Sequence, residues 1–451
     1  MRVAFHTLGC KLNYSETSTI GRQFTDRGFS VVNFDQPSDV YVVNTCSVTE
    51  RADRECRQLI RRALRTAPDA FVIVTGCYAQ LQPGEIASIE GVDLVLGTGE
   101  KFRIFDHAGD FLKKPLPQIF VSCIDEAIDF LPASSAEFGE RTRAFLKIQD
   151  GCDFPCTFCT IPMARGGSRS QPLHEIVSAA TSIAEQGYKE IVLTGVNVGD
   201  YGKNIGSNFL ELARALDEID GIERIRISSI EPNLLSRELI DFVLGSQRFC
   251  NHFHIPLQSG CDEILGSMRR RYRAAHYRSV VEYIRQCDPD AGIGVDIISG
   301  FPGESDEMFE RSCRFIADLP VTYLHAFTYS ERESTPALQM PHPVAPAVRF
   351  ARTEILRELG QKIRHAFLER FVGRTVSVLM EGSDRNGLMS GLATNYVRVM
   401  VPASPEMVNT IQDVNIIGVE SEACRGECPS LVAPAAVRNY SERNAVLIHN
   451  I

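Results

Sequence analysis

The chain has 451 residues, enough for about three domains, and its 44% apolar content excludes a disordered or fibrous protein. No segment reaches the ~20 consecutive apolar residues of a membrane span, so we expect a cytoplasmic protein with no membrane partner. The net charge of −10 excludes a global positive field, so any RNA must be held by local basic patches. Fourteen cysteines are too few for a short secreted disulfide scaffold and indicate metal or redox chemistry.

The first region, which we place at residues 1–130, alternates short β-rich segments with helical patterns. Its predicted strands are VAFHT, DVYVVNT, AFVIVT and DLVLG, and its predicted helices are ETSTIGRQFTDRGF and TERADRECRQLIRRALRTAP. This alternation is typical of a doubly wound parallel sheet, so we assign the region to the α/β class.

A linker rich in Pro, Ser and Ala at 131–139 leads to a second alternating region, placed at residues 140–370. Its predicted strands are AFLKIQ, EIVLTG, RIRISSI, HFHIP, GIGVDIIS and LHAFTY, and it ends in one long amphipathic helix predicted at 344–371. Six βα units predict a full or partial (βα)6 barrel, with its chemistry at the carboxyl ends of the strands.

The third region, placed at residues 371–438, contains short β segments separated by turn residues. These segments are TVSVLMEG, SGLATNYVRVMVP, DVNIIGVES and SLVAPA. They predict a small all-β barrel.

The strongest local motif is GCDFPCTFC, which places Cys152, Cys156 and Cys159 in a C-x3-C-x2-C run after a predicted strand. Three thiolates this close together can bind one metal centre. A [4Fe-4S] cluster takes four ligands, so one iron would stay free to chelate S-adenosylmethionine, whose carbon–sulfur bond an electron then cleaves. A structural zinc site is the alternative, although the spacing fits the C-x2-4-C pairs of zinc modules poorly.

A second, dispersed set of cysteines follows three successive predicted strands. Cys10, Cys46 and Cys77 are 36 and 31 residues apart, close to the ~30 residues of a βα repeat. Because parallel strands end at one edge of a sheet, we expect these thiols to converge and to hold a second cluster with one open iron. The alternative is that they are ordinary buried thiols.

The other eight cysteines are interpreted mostly as small buried apolar residues. They are Cys56, Cys123, Cys250, Cys261, Cys287, Cys313, Cys424 and Cys428. The last two form a C-x3-C pair that could be half of a metal site, but no third ligand is evident nearby.

Three residues at or beyond strand ends of the second region are candidate contacts for the cofactor: Gly195, Glu231 and Asp296. Each could equally cap a helix or shape a turn. His254 and Gln258 could line the same pocket, although a core histidine is an equal alternative.

Two basic clusters offer an RNA-binding surface, although the first could be only a solvated helix face. They comprise Arg51, Arg54, Arg57, Arg61, Arg62 and Arg65 on one predicted helix, and Arg269, Arg270, Arg271 and Arg273 beside Tyr272. Tyr272 could stack on a base, and one arginine of its cluster could pair with a cofactor carboxylate. Arg374, Arg385 and Arg398 are sparse in the third region, where acids outnumber bases.

Several motifs together resemble one known family. The C-x3-C-x2-C run, with an aromatic residue before its last cysteine, resembles the radical S-adenosylmethionine superfamily, and TLGCKLN, NTC and GCYAQ resemble its methylthiotransferase subgroup. The resemblance extends through TGVNVGDYG, HIPLQSG, GVDIISGFPGE and YSERESTPA, nearly the whole chain. It implies an auxiliary [4Fe-4S] cluster in the first region, a radical cluster in the partial barrel and a terminal TRAM-like β barrel that handles RNA.

The implied chemistry uses S-adenosylmethionine twice, with an external electron donor. At the Cys152, Cys156 and Cys159 cluster it gives a radical that removes hydrogen from the target carbon, and elsewhere it donates a methyl group to sulfur. A second cluster on Cys10 and its two partners would hold or supply that sulfur.

Three branches of this family differ in substrate. GCKLNYSET, GCYAQ and ARGGSRSQP are similar to the branch that modifies carbon 2 of N6-threonylcarbamoyladenosine beside the tRNA anticodon. The alternatives are isopentenyladenosine in tRNA and a ribosomal protein aspartate. An alternative of another class is an RNA-binding protein with structural clusters.

Overall fold

The structure, a computed structural model, describes residues 1–47, 50–126, 129–136, 142–383 and 387–428. These residues form an N-terminal α/β unit, an arc of parallel strands and a closed β barrel, in the order predicted from the sequence. Among the described helices, none has both the length and the apolar character needed to cross a membrane.

The N-terminal unit is a six-stranded parallel sheet with helices on its faces. Its elements are β1 (Arg2–Thr7), α1 (Lys11–Thr25), β2 (Ser30–Val32), β3 (Val40–Thr45), α2 (Glu50–Thr66), β4 (Phe71–Gly76), α3 (Cys77–Leu81), α4 (Pro83–Ala87), β5 (Leu94–Leu96), α5 (Ile104–Ala108) and β6 (Gln118–Phe120). The strand order β2-β1-β3-β4-β5-β6 confirms the doubly wound sheet. The central strands β3 and β4 are buried along their whole length, as parallel strands covered on both faces must be.

Helix α1 differs most from its prediction, which placed it at residues 16–29. It begins five residues earlier than predicted. The sequence pattern missed this start because the polar residues Asn13, Ser15 and Glu16 point into the protein, where each is 0% exposed. Buried polar residues interrupt the apolar period by which a helix is recognised in a sequence. The short edge strands β2 and β6 also lacked a sequence signal.

The second unit contains all six predicted strands. Its elements are β7 (Arg143–Lys147), β8 (Gln149–Asp150), α6 (Ile161–Arg165), β9 (Arg169–Ser170), α7 (Leu173–Glu185), β10 (Glu190–Thr194), α8 (Phe209–Asp217), β11 (Arg224–Ile227), α9 (Arg237–Gly245), β12 (His252–His254), α10 (Asp262–Ser267), α11 (Ala274–Cys287), β13 (Gly292–Ser299), α12 (Asp306–Ala317), β14 (Tyr323–Thr328) and α13 (Pro346–Glu369). Two sheets, β7-β10-β11 and β12-β13-β14, are joined by parallel bridges from Ile225 to Phe249 and from Ser229 to His254. The result is an open arc, which confirms the partial barrel.

The third unit is a closed barrel of five strands in the order β15-β16-β17-β19-β18. Its strands are β15 (Thr375–Ser383), β16 (Leu388–Ala393), β17 (Arg398–Pro402), β18 (Ile411–Glu420) and β19 (Ala423–Glu427). SGLATNYVRVMVP, predicted as one segment, is two strands joined by a turn at which Tyr396 has a positive φ of 69°. Strand β19 was not predicted, and SLVAPA lies outside the described residues.

Buried arginines of β11 attach this barrel to the arc. The Arg226 guanidinium donates to the carbonyls of Ala393 and Thr394 at 3.1 and 2.9 Å, and it pairs with Glu190 at 2.8 Å. Arg224 donates to the Leu392 carbonyl at 2.9 Å. These bonds satisfy carbonyls at the end of β16 and hold the barrel in one place.

Candidate active site

The three dispersed cysteines lie at one edge of the N-terminal sheet. Cys10 follows β1 by three residues, Cys46 directly follows β3 and Cys77 begins α3 directly after β4. These strands are neighbours in the sheet, and the strand order reverses between β1 and β3. Ligands of open α/β sheets bind at such a reversal, beyond the carboxyl ends of the strands.

Two glycines let the cysteine loops approach one another. Gly9 has φ 96°, and a Cβ atom there would lie 2.8 Å from the Cys46 Sγ. Gly76 has φ 100°, and its Cβ would lie 2.4 Å from the Thr45 carbonyl oxygen. Any larger residue would push these neighbouring loops apart, so both glycines are needed for the close approach of the loops.

The second triad lies in the loop between β8 and α6. The Cys159 N–H donates to the Cys156 carbonyl at 3.2 Å, and the Cys152 N–H donates to the Gly166 carbonyl at 3.0 Å. Burial raises the pKa of the Cys152 and Cys159 thiols to about 12. A metal must therefore displace protons from these thiols when it binds.

The thiols of the two triads are not gathered closely enough for a single zinc ion. Among the described residues, neither cysteine triad brings all three of its Sγ atoms within 4.8 Å of one another. Tetrahedral zinc with Zn–S bonds of about 2.3 Å would need Sγ atoms about 3.8 Å apart. A set of three cysteines fits a [4Fe-4S] cluster that keeps one iron open.

A hydrogen bond joins the loops that carry the two triads. The hydroxyl of Thr160, the residue after Cys159, donates to the carbonyl of Ser47, the residue after Cys46, at 3.3 Å. Arg332 donates to the Ser47 hydroxyl at 2.8 Å. The loops that carry the two sets of cysteines are therefore in direct contact.

A cavity of about 220 Å³ opens beside the second triad, and Cys159 is part of its wall. Gln258, Asp296 and Phe327 also line it, and Phe327 is 45% exposed. Thr160 lines both this cavity and a neighbouring one of about 330 Å³ between the N-terminal unit and the arc. Both cavities lie beside Thr160, so the loop of the second triad opens onto space for a bound ligand.

Arg270 connects Glu231 to the second triad. The Arg270 guanidinium pairs with the Glu231 carboxylate and donates to the Cys156 Sγ at 3.1 Å. Burial raises the pKa of Glu231, and Arg270 opposes this effect. Arg270, one of the arginines considered above for RNA or cofactor binding, is therefore engaged with a carboxylate of the protein.

Asp296 lines the cavity and is held by two histidines. Its carboxylate accepts from His254 Nε2 at 2.8 Å and from His325 Nδ1 at 3.1 Å. Burial favours the neutral acid, but the histidines lower the pKa of Asp296 below its ordinary value. The three ligating atoms lie within 4.8 Å of one another, close enough for one divalent ion. His325 was not recognised from the sequence, although it alternates with Phe327 along β14.

Gly195 takes a different position from the two carboxylates. It follows β10, and a Cβ there would lie 2.9 Å from the Gln149 Oε1 atom. The same oxygen accepts the N–H groups of Val196 and Asn197 at 2.9 and 3.0 Å. Gly195 is thus packed against the strand that leads into the second triad.

Other predicted features have different surroundings from those expected. Tyr272 is only 5% exposed and its hydroxyl donates to the Pro256 and Leu257 carbonyls. The prediction that its ring stacks on a base is therefore wrong. Cys424 and Cys428 lie in the apolar core of the barrel. Cys123 and Cys287 are exposed rather than buried. The Arg51 side chain and all of Arg385 lie outside the part of the chain that the structure describes.

Comparison with known proteins identifies two domain families. The uncharacterized protein family UPF0004 matches residues 2–97, and the radical SAM superfamily matches residues 146–316. A solved structure of TsrM, a radical S-adenosylmethionine methyltransferase from Kitasatospora setae, is similar with a TM-score of 0.53 and 16% identity. That similarity covers 75% of this chain and 74% of TsrM, and it shows a shared fold.

Curated relatives match along most of their length. Threonylcarbamoyladenosine tRNA methylthiotransferase MtaB of Bacillus subtilis is 38% identical, with 92% of this chain and 93% of the relative covered. MtaB of Aquifex aeolicus is also 38% identical, with coverage of 88% and 96%. A tRNA-2-methylthio-N(6)-dimethylallyladenosine synthase of Alkaliphilus oremlandii is 32% identical, with coverage of 93% and 91%. The chain therefore belongs to the radical S-adenosylmethionine methylthiotransferase family, whose chemistry uses S-adenosylmethionine and a [4Fe-4S] cluster.

Proposed function

We propose that the chain adds a methylthio group to carbon 2 of N6-threonylcarbamoyladenosine, next to the anticodon of tRNA. The relatives named for this substrate reach 38% identity, against 32% for a relative named for dimethylallyladenosine over a similar span. The observation that carries the proposal is the hydrogen bond from Thr160 to Ser47, because it places the loop of Cys46 against the loop of the second triad, beside a cavity lined by Cys159. A single cluster would leave one of these triads without a role.

We assign the radical cluster to Cys152, Cys156 and Cys159, and a second [4Fe-4S] cluster to Cys10, Cys46 and Cys77. When bound, S-adenosylmethionine and the clusters supply a radical that activates the adenine carbon, a methyl group and the sulfur to be inserted. The protein contributes by holding the two triads side by side. The positive φ values at Gly9 and Gly76 support the second assignment, since they let the loops that carry these cysteines approach one another.

The two carboxylates beside the cavity would position S-adenosylmethionine. Glu231 is fixed by Arg270 and can accept a hydrogen bond from the cofactor's amino group. Asp296 stays ionised between its histidines and can accept bonds from ribose hydroxyls. Gly195 would keep the strand end close to the cofactor without contributing a side chain. The Phe327 ring offers an apolar surface for the adenine part of cofactor or substrate.

Each domain then has its own role in the cytoplasm, where tRNA is modified. Residues 1–130 would carry the second cluster, residues 140–370 the radical chemistry and residues 371–438 a TRAM-like surface for the anticodon loop. Exposed arginines of α2, among them Arg61 and Arg65, would provide a basic surface for the tRNA backbone. An external electron donor would reduce the radical cluster.

The test is conversion of a tRNA anticodon stem-loop by the protein after its clusters are rebuilt without air. We expect a stem-loop with threonylcarbamoyladenosine to gain a methylthio group, detected by mass spectrometry, and one with dimethylallyladenosine to stay unchanged. The matched variants are Cys156→Ser, which should abolish the product, and Cys424→Ser, which should not. Product from the dimethylallyl substrate alone, or from a ribosomal protein, would refute the proposed substrate. Binding without conversion would favour an RNA-binding protein with structural clusters.

A further inference from the structure

A buried network of charged side chains crosses the boundary between the N-terminal unit and the arc. Its members are all at most 3% exposed: Glu16, Lys101, Lys147, Asp150 and Arg165. Glu16 Oε1 lies 2.8 Å from the Lys101 amine, 3.1 Å from the Lys147 amine and 2.9 Å from the Arg165 guanidinium. Asp150 contacts Lys147 at 2.6 Å and Arg165 at 2.9 Å. Neither unit could form this network alone.

Arg165 connects the loops of both triads. It ends α6, the short helix that follows Cys159, and its guanidinium donates to the Asn13 Oδ1 at 2.6 Å. The Asn13 amide donates in turn to the carbonyls of Leu8 and Thr45 at 2.8 and 3.0 Å. Leu8 leads into the loop of Cys10, and Thr45 precedes Cys46. A shift of Arg165 would therefore move both cysteine loops of the N-terminal unit.

The network has more positive than negative charge. Three cations share two carboxylates, and Arg169, 3.7 Å from Asp150, adds positive charge at the border. A buried charge without a partner is destabilising, so we expect an anionic group close to the excess positive charge. Burial opposes the charge of Arg165. The neighbouring Cys77, Glu16 and Asp150 nevertheless raise the pKa of Arg165 well above its ordinary value. Asn13 Oδ1, which accepts from Arg165, lies 4.0 Å from the Cys10 Sγ, so the excess charge faces the thiols at the sheet edge.

We propose that Arg165 is a positioning residue shared by the two cysteine triads, and that its network balances the negative charge of a cluster bound to Cys10, Cys46 and Cys77. This inference rests on the proposed second cluster. Thiolates around iron carry net negative charge, and one-electron reduction by an added reductant makes the cluster more negative. The excess positive charge then favours the reduced form and raises the reduction potential of that cluster.

The experiment uses the full chain with Cys152, Cys156 and Cys159 changed to alanine, so that only the second cluster can form. After reconstitution without air, iron is counted and the reduction potential is followed by electron paramagnetic resonance. We expect Arg165→Gln and Lys101→Gln to lower the potential, Glu16→Gln to raise it, and Arg165→Lys to restore most of the shift. The control is Arg226→Gln, another buried arginine paired with a carboxylate, which should leave the potential unchanged.

The outcomes separate this inference from the proposed function. A parent protein that binds no iron refutes the second cluster itself. Iron bound with equal potentials in all variants, or shifts in one direction for both Lys101→Gln and Glu16→Gln, overturns the role of the network. If Arg165→Gln fails to fold, the opposite shifts expected for the other two variants still decide the question.

Discussion

Replacing Gly76 with alanine tests whether the sheet edge is built for close thiols. Gly76 has φ 100° and ψ −164°, a region that essentially only glycine adopts, so alanine there costs about 1–3 kcal/mol in backbone strain. The new Cβ would also lie 2.4 Å from the Thr45 carbonyl oxygen, and relieving such an overlap costs about 1–3 kcal/mol more. We therefore expect Gly76→Ala to reduce the free energy of unfolding by about 2–6 kcal/mol, the sum of the two effects.

Gly28→Ala is the matched control in the same unit. Gly28 has φ 81°, but a Cβ there would meet no atom within 4 Å. This variant should lose only the left-handed strain of about 1–2 kcal/mol and keep all of its iron. Urea unfolding of the metal-free protein measures the free energies, and iron analysis after reconstitution measures the clusters.

The two variants should differ in iron content as well as in stability. We expect Gly76→Ala to hold about four of the about eight irons of two clusters, because Cys77 is displaced with its neighbour. Equal losses of stability in Gly76→Ala and Gly28→Ala, with full iron in both, would refute the close-packed edge.

Three further predictions address other parts of the molecule. Glu231→Gln removes the partner of Arg270, so S-adenosylmethionine cleavage should fall at least about tenfold with iron content unchanged; unaltered cleavage would contradict this role. Arg226→Met breaks a buried pair and should cost about 3–5 kcal/mol in urea unfolding, whereas Arg398→Met, at a half-buried pair, should cost under about 1 kcal/mol. Burial raises the pKa of Glu16, but its cationic neighbours lower it overall, so its stabilising effect is present above pH 4.5 and is lost as the pH falls. The free energy of unfolding should therefore fall more between pH 7 and pH 3 for the wild type than for Glu16→Gln.

The sequence predicts the order of elements well wherever strands and helices have a clear apolar period. The strand ends before Cys10, Cys46 and Cys77 lie side by side because β1, β3 and β4 are neighbours in the parallel sheet, with the unpredicted β2 on the other side of β1. The C-x3-C-x2-C run is local and needs no tertiary information. These two patterns were enough to propose both sets of cysteines from sequence.

The buried ionic network could not be predicted in this way. Asn13, Glu16 and Lys101 resemble residues of a solvated helix or turn, and only the packing of two units turns them inward. The same limit applies to Arg270 and Tyr272, which belong to a basic cluster in sequence but are buried beside Cys156 and the β12 loop. Neighbouring Arg271 stays exposed, so charge clustering alone does not identify an RNA-binding surface.

The most direct test of the central claim is the tRNA nucleoside profile of a strain lacking the gene for this chain. We expect mass spectrometry to show unmodified N6-threonylcarbamoyladenosine where the wild type has its 2-methylthio form. The gene should restore the modification, whereas Cys10→Ser or Cys156→Ser copies should not, because each disables one triad. A profile unchanged by the deletion, or full restoration by either cysteine variant, would contradict an enzyme that needs both triads.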